Sequence, residues 1–219
     1  MIRAVVWDVD GTLISTKDLY LECYRRALEP YVGKRLTDDE MLALRPHSEL
    51  YMLRAHAGDN FDACMTEFAR HYAELHATHF GGVYDGIPDV LDALRGRRIR
   101  TGIVTGKSRS SWEITLAQVE LGDFDVVVVD DDVANPKPDP EGILAALDSL
   151  GVEPRDAIYV GDSPADMEAA LAARTQAAAA MWSKNEVWRT RFLQRTRGMN
   201  GINLLDQPHD LLRLISDSK

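Results

Sequence analysis

Short apolar runs and longer amphipathic segments alternate along most of this chain. Four runs of strand character stand out, at 4–7, 102–104, 126–129 and 157–160, each apolar through its length rather than alternating. Continuous apolar runs of that length fit strands buried on both faces, as in a parallel sheet. A fifth candidate covers 177–182, where a row of alanines fits helix as well as strand. Around these runs the spacing predicts helices over 88–94, 110–121, 140–150, 164–173, 185–195 and 208–215. Pro88 falls in a first helical turn, where its missing N–H is no loss. Strand and helix in alternation predict an α/β fold, a Rossmann-like parallel sheet with helices on both faces.

Residues 15–84 break that rhythm, because no strand pattern occurs there. Leu19, Tyr24, Ala27, Leu28 and Tyr31 make a helical stripe, Thr37 with Glu40 reads as a capping box, and 61–80 places Phe61, Met65, Phe68, Tyr72 and Leu75 on one side. The chain therefore divides into a core of 1–14 and 85–219 and an inserted all-helical cap of 15–84. Ser15 and Thr16 mark the exit, and Gly81-Gly82 and Asp85-Gly86 the return. Both crossings lie near the end of the first strand, so they are expected to act as hinges that let the cap gate water.

Composition narrows the partners. The chain has 219 residues, enough for one large domain with a smaller insert, and a formal net charge of -10. No basic footprint for nucleic acid is present, and an anionic substrate must be drawn by local cations rather than by the overall field. Two cysteines, Cys23 and Cys64, make neither a disulfide framework nor a metal-ligand pattern and read as small buried side chains. The N-terminus lacks a signal-peptide pattern, and no apolar run is long enough to span a bilayer. A cytoplasmic protein without a membrane partner is the expectation. Oligomeric state leaves no trace in the pattern.

The chemistry gathers behind the strands. Asp8-Val9-Asp10-Gly11-Thr12 follows the first run, Thr105-Gly106-Lys107 the second, Pro136-Lys137-Pro138 comes beyond the third, and Gly161-Asp162-Ser163-Pro164-Ala165-Asp166 follows the fourth. In a parallel sheet these ends share one edge, where open α/β folds bind ligands. Packed carboxylates raise one another's pKa, a divalent cation relieves the repulsion, and oxygen ligands without imidazole or thiolate favour magnesium. A cation, Lys137, the Thr105 hydroxyl and the Gly106 amide around one point suit a phosphoryl group.

Asp8-x-Asp10-Gly11-Thr12-Leu13, Thr105-Gly106, Lys137 and Gly161-Asp162-x3-Asp166 resemble, in order and spacing, the four motifs of the haloacid dehalogenase superfamily. The resemblance runs from residue 1 to about 182, and the insert looks like the small cap of the phosphoglycolate-phosphatase-like branch. It implies an Mg2+-dependent phosphatase acting on a small phosphorylated metabolite, a monoester. In it Asp8 attacks phosphorus and forms an aspartyl-phosphate, while Asp10 protonates the leaving oxygen and then activates water. The Asp8 carboxylate, the Asp10 carbonyl and Asp162 bind the metal. Asp166 supports its water shell or orients Lys137, Thr105 and Gly106 hold phosphoryl oxygens, and Lys137 neutralises nucleophile and phosphate. Dehalogenating relatives usually lack an acid/base aspartate at the position of Asp10, so Asp10 points to phosphoester chemistry. Pyrophosphatase or nucleotidase activity, a sugar-phosphate mutase and a non-catalytic phospholigand binder are the alternatives. Tyr20 stands about where hexose-phosphate mutase relatives carry a histidine, which weighs against the mutase. Ser15-Thr16 replaces the more usual aspartate-serine pair, and Gly106 replaces an asparagine or serine.

Each residue also has a plainer reading. Asp8 and Asp10 could be turn residues, Thr105 a helix cap, Lys137 a loop lysine and Asp166 a favourable charge at a helix start. Asp130, Asp131 and Asp132 suggest a second metal site but read better as a solvated loop. Lys107 and Arg109 are divided between substrate binding and plain surface charge. Arg45 and His47, in a turn of the cap, are candidates for contact with the leaving group. His56, His71, His76 and His79 lack metal spacing, and Trp182 and Trp188 are expected to pack the late helix.

Overall fold

The computed structural model describes residues 1–44 and 48–217. In chain order the elements are β1 (Ala4–Trp7), α1 (Lys17–Val32), α2 (Asp38–Ala43), α3 (Glu49–Ala57), α4 (Phe61–His79), α5 (Ile87–Gly96), β2 (Arg100–Val104), α6 (Arg109–Leu116), β3 (Val126–Val128), α7 (Glu141–Leu150), β4 (Ala157–Gly161), α8 (Pro164–Ala172), β5 (Gln176–Ala180), α9 (Glu186–Arg195), β6 (Ile202–Leu205) and α10 (Asp210–Asp217). The strands form one sheet in the order β3-β2-β1-β4-β5-β6, parallel at every pairing.

Both faces of the sheet are covered, which is why its strands read as unbroken apolar runs. On β1, Val5 and Trp7 join a core with Ile87, Val90 and Leu94 of α5 and Leu211 and Ile215 of α10. Ala4 and Val6 face the opposite core, with Ile143 and Leu147 of α7 and Met167 and Ala170 of α8. The alanine row follows the same period of two: Ala178 and Ala180 join the first core, Ala177 and Ala179 the second. Its residues form β5 and not a helix because the ladder to β4 and β6 already stands on both sides. α6 ends at Leu116 rather than 121, yet Val119 and Leu121 stay buried, so the apolar pattern outlasts the helix. β6 carries no apolar run because it is an edge strand with only Leu205 buried.

α1 to α4 pack around a core of their own, with Leu19, Tyr24, Leu28, Met41, Leu53, Cys64, Phe68 and Tyr72 fully or almost fully buried. Cys23 and Cys64 are buried free thiols. After Thr37 the chain makes two helices, α2 opened by the reciprocal Thr37–Glu40 cap and α3 by Ser48, whose hydroxyl accepts from the Tyr51 N–H at 3.0 Å. The two crossings to the helical layer run side by side: Ser15 donates its N–H to the Gly82 carbonyl at 2.9 Å, and Tyr84 donates to the Leu13 carbonyl at 3.0 Å. No helix among the described residues is long and apolar enough to cross a membrane.

Candidate active site

The carboxyl ends of β1, β2 and β4 deliver the predicted side chains to one point. Asp8 extends the β1 ladder, its N–H donating to the Val160 carbonyl at 2.8 Å. Lys137, from the loop before α7, donates to Asp8 Oδ1 at 2.8 Å and to Asp166 Oδ1 at 2.7 Å. Asp166 closes a capping box at the start of α8: its Oδ2 accepts from the Ser163 N–H at 2.9 Å and the Ser163 hydroxyl at 2.6 Å. One carboxylate thus caps the helix with one oxygen and holds Lys137 with the other. The Tyr159 hydroxyl, two residues before the end of β4, approaches both Lys137 Nζ and Asp166 Oδ1 at 3.1 Å.

Two glycines make these approaches fit. Gly11 has φ +77°, and a Cβ there would stand 2.6 Å from Asp162 Oδ2. A Cβ on Gly161 would stand 2.5 Å from the Asp166 Cγ. A side chain at either position would push apart the carboxylates the site depends on.

Burial dominates the electrostatics. It pushes Asp8 well above the usual carboxylate range, against the pull of Lys137 and with added repulsion from Asp166, Asp10 and Asp162. Burial likewise raises Asp162, whose Oδ2 accepts from Lys184 at 2.8 Å. Burial also works against the Asp166 anion, but Lys137 and the Ser163 donors outweigh it and hold Asp166 below the usual range. Lys137 loses by desolvation and gains more from Asp166 and Asp8, so it stays an ammonium. Carboxylate oxygens of Asp8, Asp162 and Asp166 lie within 4.8 Å of one another, a group that could hold a metal ion. Hard oxygen donors whose two members Asp8 and Asp162 resist ionisation fit a divalent cation, which would relieve that cost. Asp166, with both oxygens taken by Lys137 and Ser163, fits the role of orienting the lysine.

Asp10 stands beside this group, its Oδ1 accepting from the Thr16 hydroxyl at 2.6 Å and lying 3.1 Å from Lys107 Nζ. Asp8, Asp10, Gly106, Lys137, Asp162 and Asp166 line a cavity of about 770 Å³ between the sheet edge and α1. Thr105 is buried just behind it, with Oγ1 accepting from the Lys107 N–H at 3.2 Å. Arg45 and His47 lie outside the described residues. Lys107, divided at the level of sequence between substrate and surface, is fully buried, and Arg109 pairs with Asp132 at 2.5 Å. Asp130 is not solvated: its Oδ2 accepts from the Ser48 hydroxyl at 2.6 Å and the Leu50 N–H at 2.9 Å, tying the sheet edge to α3. Trp182 donates its indole N–H to the Thr12 carbonyl at 3.0 Å, whereas Trp188 lines the cavity between Lys17 and Arg191.

Sequence reasoning missed Tyr159, Lys184 and the polar side chains of the helical layer. A tyrosine inside an otherwise aliphatic strand was a signal for the first, since a buried hydroxyl needs a partner. Lys184, beyond β5, carries no local signal.

A parallel sheet with paired aspartates after its first strand, and a lysine and further aspartates at the neighbouring strand ends, defines a class of phosphoryl-transferring and related hydrolases. The chain belongs to the haloacid dehalogenase-like hydrolase family, which it matches over residues 5–180. It is 34% identical over 185 residues to the pyrophosphatase PpaX of Bacillus velezensis, covering 83% of this chain and 84% of the relative. Among solved structures, a proposed phosphoglycolate phosphatase from Lactobacillus plantarum superposes with a TM-score of 0.80 at 25% identity, over 98% of this chain and 99% of that one. A proposed β-phosphoglucomutase from Thermotoga maritima does so with a TM-score of 0.71 at 26% identity, over 99% of each chain.

Proposed function

We propose that this protein is a magnesium-dependent phosphatase that cleaves a small phosphorylated metabolite through an aspartyl-phosphate on Asp8. The observation that carries this reading is the Asp8–Lys137–Asp166 arrangement with Asp10 beside it in one cavity. Lys137 leaves Asp8 Oδ2 free to attack while its charge offsets that of an incoming phosphoryl group. Asp10 is placed to give a proton to the departing oxygen and later to take one from water. The Gly106 amide, which lines the cavity, and the Thr105 hydroxyl just behind it would receive the phosphoryl oxygens. Asp8, the Asp10 carbonyl and Asp162 would hold Mg2+, an oxygen-seeking ion that neutralises phosphoryl charge when bound.

The test is p-nitrophenyl phosphate hydrolysis by the wild type and by Asp8→Asn, each with magnesium and with chelator. The expected result is turnover only with magnesium and a loss of at least about 10⁴-fold in a folded Asp8→Asn protein. Wild-type activity in that variant would end the covalent reading.

A second substrate reading, inorganic pyrophosphate, is favoured by the cavity's rim. Lys17, Arg191 and Arg195 line it, and none of the three meets a carboxylate among the described residues, in a chain of net charge -10. Unpaired cations there suit a substrate with charge beyond the reacting phosphoryl group, and the relative named a pyrophosphatase agrees with it. Phosphate release from pyrophosphate, set against release from uncharged-tail monoesters at equal concentration, separates the two. A mutase would instead return an isomerised sugar phosphate without free phosphate.

A further inference from the structure

Lys107 is 0% exposed, and its ammonium has no opening to the cavity beside it. It makes three polar contacts, as many as it has protons to give. Nζ lies 3.1 Å from Asp10 Oδ1, donates to the Tyr72 hydroxyl at 2.6 Å and donates to the Tyr20 hydroxyl at 2.9 Å. It also sits over both rings, 4.5 Å from the Tyr72 centroid and 4.7 Å from that of Tyr20. Burial works against this charge, but Asp10, Tyr72 and Glu49 outweigh it and the group stays protonated. A buried ammonium needs a carboxylate beside it, and the one it touches among the described residues is Asp10.

The contacts come from two parts of the molecule. Lys107 and Asp10 belong to the loops at the sheet edge, Tyr20 to α1 and Tyr72 to α4. The tyrosines are themselves fixed: Tyr20 donates to Glu49, and Tyr72 pairs with Thr115 Oγ1 at 3.1 Å. Glu49 in turn accepts from the Ser108 N–H at 3.0 Å and from the Ser108 and Ser111 hydroxyls at 2.7 and 2.8 Å. On Asp10, Thr16 and Lys107 both hold Oδ1, so Oδ2 is the oxygen left for the cavity.

We infer that Lys107 is a positioning residue: it aims Asp10 Oδ2 at the reacting oxygen, and it does so only while Tyr20 and Tyr72 of the helical layer hold its ammonium. The inference rests on the proposed roles of Asp8 and Asp10. In the first step the Asp8 Oδ2–P bond forms as the P–O bond to the leaving group breaks, and that oxygen takes the Asp10 proton. In the second, Asp10 takes a proton from water as the water oxygen bonds to phosphorus and the Asp8 Oδ2–P bond breaks. Both steps need Asp10 aimed. A p-nitrophenolate leaving group needs no proton, so with p-nitrophenyl phosphate only the second step depends on Asp10.

The experiment is stopped-flow turnover of p-nitrophenyl phosphate by wild type, Lys107→Met and Tyr72→Phe, with acid-quench capture of phosphoprotein. For Lys107→Met the expected result is a kcat lower by about 10²-fold, a kcat/KM lower by less than about 3-fold, and a burst of p-nitrophenolate with phosphate trapped on Asp8. Tyr72→Phe removes one anchor and should show the same split at smaller size, which keeps the test alive if Lys107→Met does not fold. A merely structural lysine would lower kcat and kcat/KM together with no burst, and that pattern in Tyr72→Phe overturns the inference. No phosphoprotein in any of the three, the wild type included, overturns the Asp8 reading and this inference with it.

Discussion

The Asp8–Lys137–Asp166 group and the Asp10–Lys107 pair, which Tyr20 links to Glu49, are each built on a buried lysine, and they differ in where their members come from. Asp8, Lys137 and Asp166 all stand on the sheet core, at the end of β1, in the loop before α7 and at the start of α8. Asp10 and Lys107 belong to that core as well, but Glu49, Tyr20 and Tyr72 come from the helical layer. The first group exists wherever the sheet is folded. The second exists only when α1, α3 and α4 are seated. With Asp8 and Asp10 in the proposed roles, such a site would hold its nucleophile ready at all times and complete its proton-transfer group when the helices are seated.

Lys137→Met strikes the first group and carries the largest expected effect. It would leave Asp8 and Asp166 buried without their shared cation, at a cost of about 3–5 kcal/mol in urea unfolding with chelator present. Magnesium should restore part of that stability, because a divalent cation can stand in for some of the lost positive charge. A variant as stable as wild type would mean that the ion pairs on Lys137 do not hold the sheet edge together.

Asp130→Ala addresses the seating of the helices directly. It removes the acceptor for the Ser48 hydroxyl and the Leu50 N–H, both at the start of α3. Hydrogen bonds to a charged group contribute about 1.5–3 kcal/mol each, and the two share one oxygen here, so a loss of about 2 kcal/mol is expected. Amide exchange should quicken in α3 and stay unchanged in β1 and β4. Equal quickening in the sheet would erase the distinction between fixed and conditional groups.

The same distinction explains what the sequence disclosed. The core site was legible because parallel strands end on one edge, so Asp8, Thr105, Lys137 and Asp162 could be placed together from four apolar runs alone. The helical insert was legible as helix from the Phe61–Tyr72 stripe, and its capping box at Thr37 and Glu40 formed as read. Its contacts with the core were not legible. Tyr20, Glu49, Tyr72 and Lys107 lie on four separate elements or loops, and only packing brings their hydroxyls, carboxylate and ammonium together. Tyr20 shows the limit most clearly, since its place in a helical stripe says nothing of the lysine 87 positions away that it accepts from. β6 escaped for the opposite reason, as an edge strand with one buried residue has no need of an apolar run.

Glu49→Gln is the smallest change and the sharpest on sign. Burial raises Glu49 above its ordinary value of 4.5, in spite of Lys107, Ser108 and Tyr20, which all favour the anion. A carboxyl that binds its proton more tightly folded than unfolded makes stability fall as pH rises from about the unfolded value through the folded one. Glutamine lacks that slope, and with its carbonyl oxygen on the Ser108 and Ser111 donors its amide meets the donating Tyr20 hydroxyl, at a cost of about 1 kcal/mol. Urea unfolding from pH 4.5 to 8 should therefore show wild type ahead of the variant at the acid end, with the gap narrowing as pH rises. A gap that widens with pH would mean that Lys107 and the serine donors outweigh burial. Glu49 would then be a net anchor of the helical layer at neutral pH, and the conditional group would be held as firmly as the fixed one.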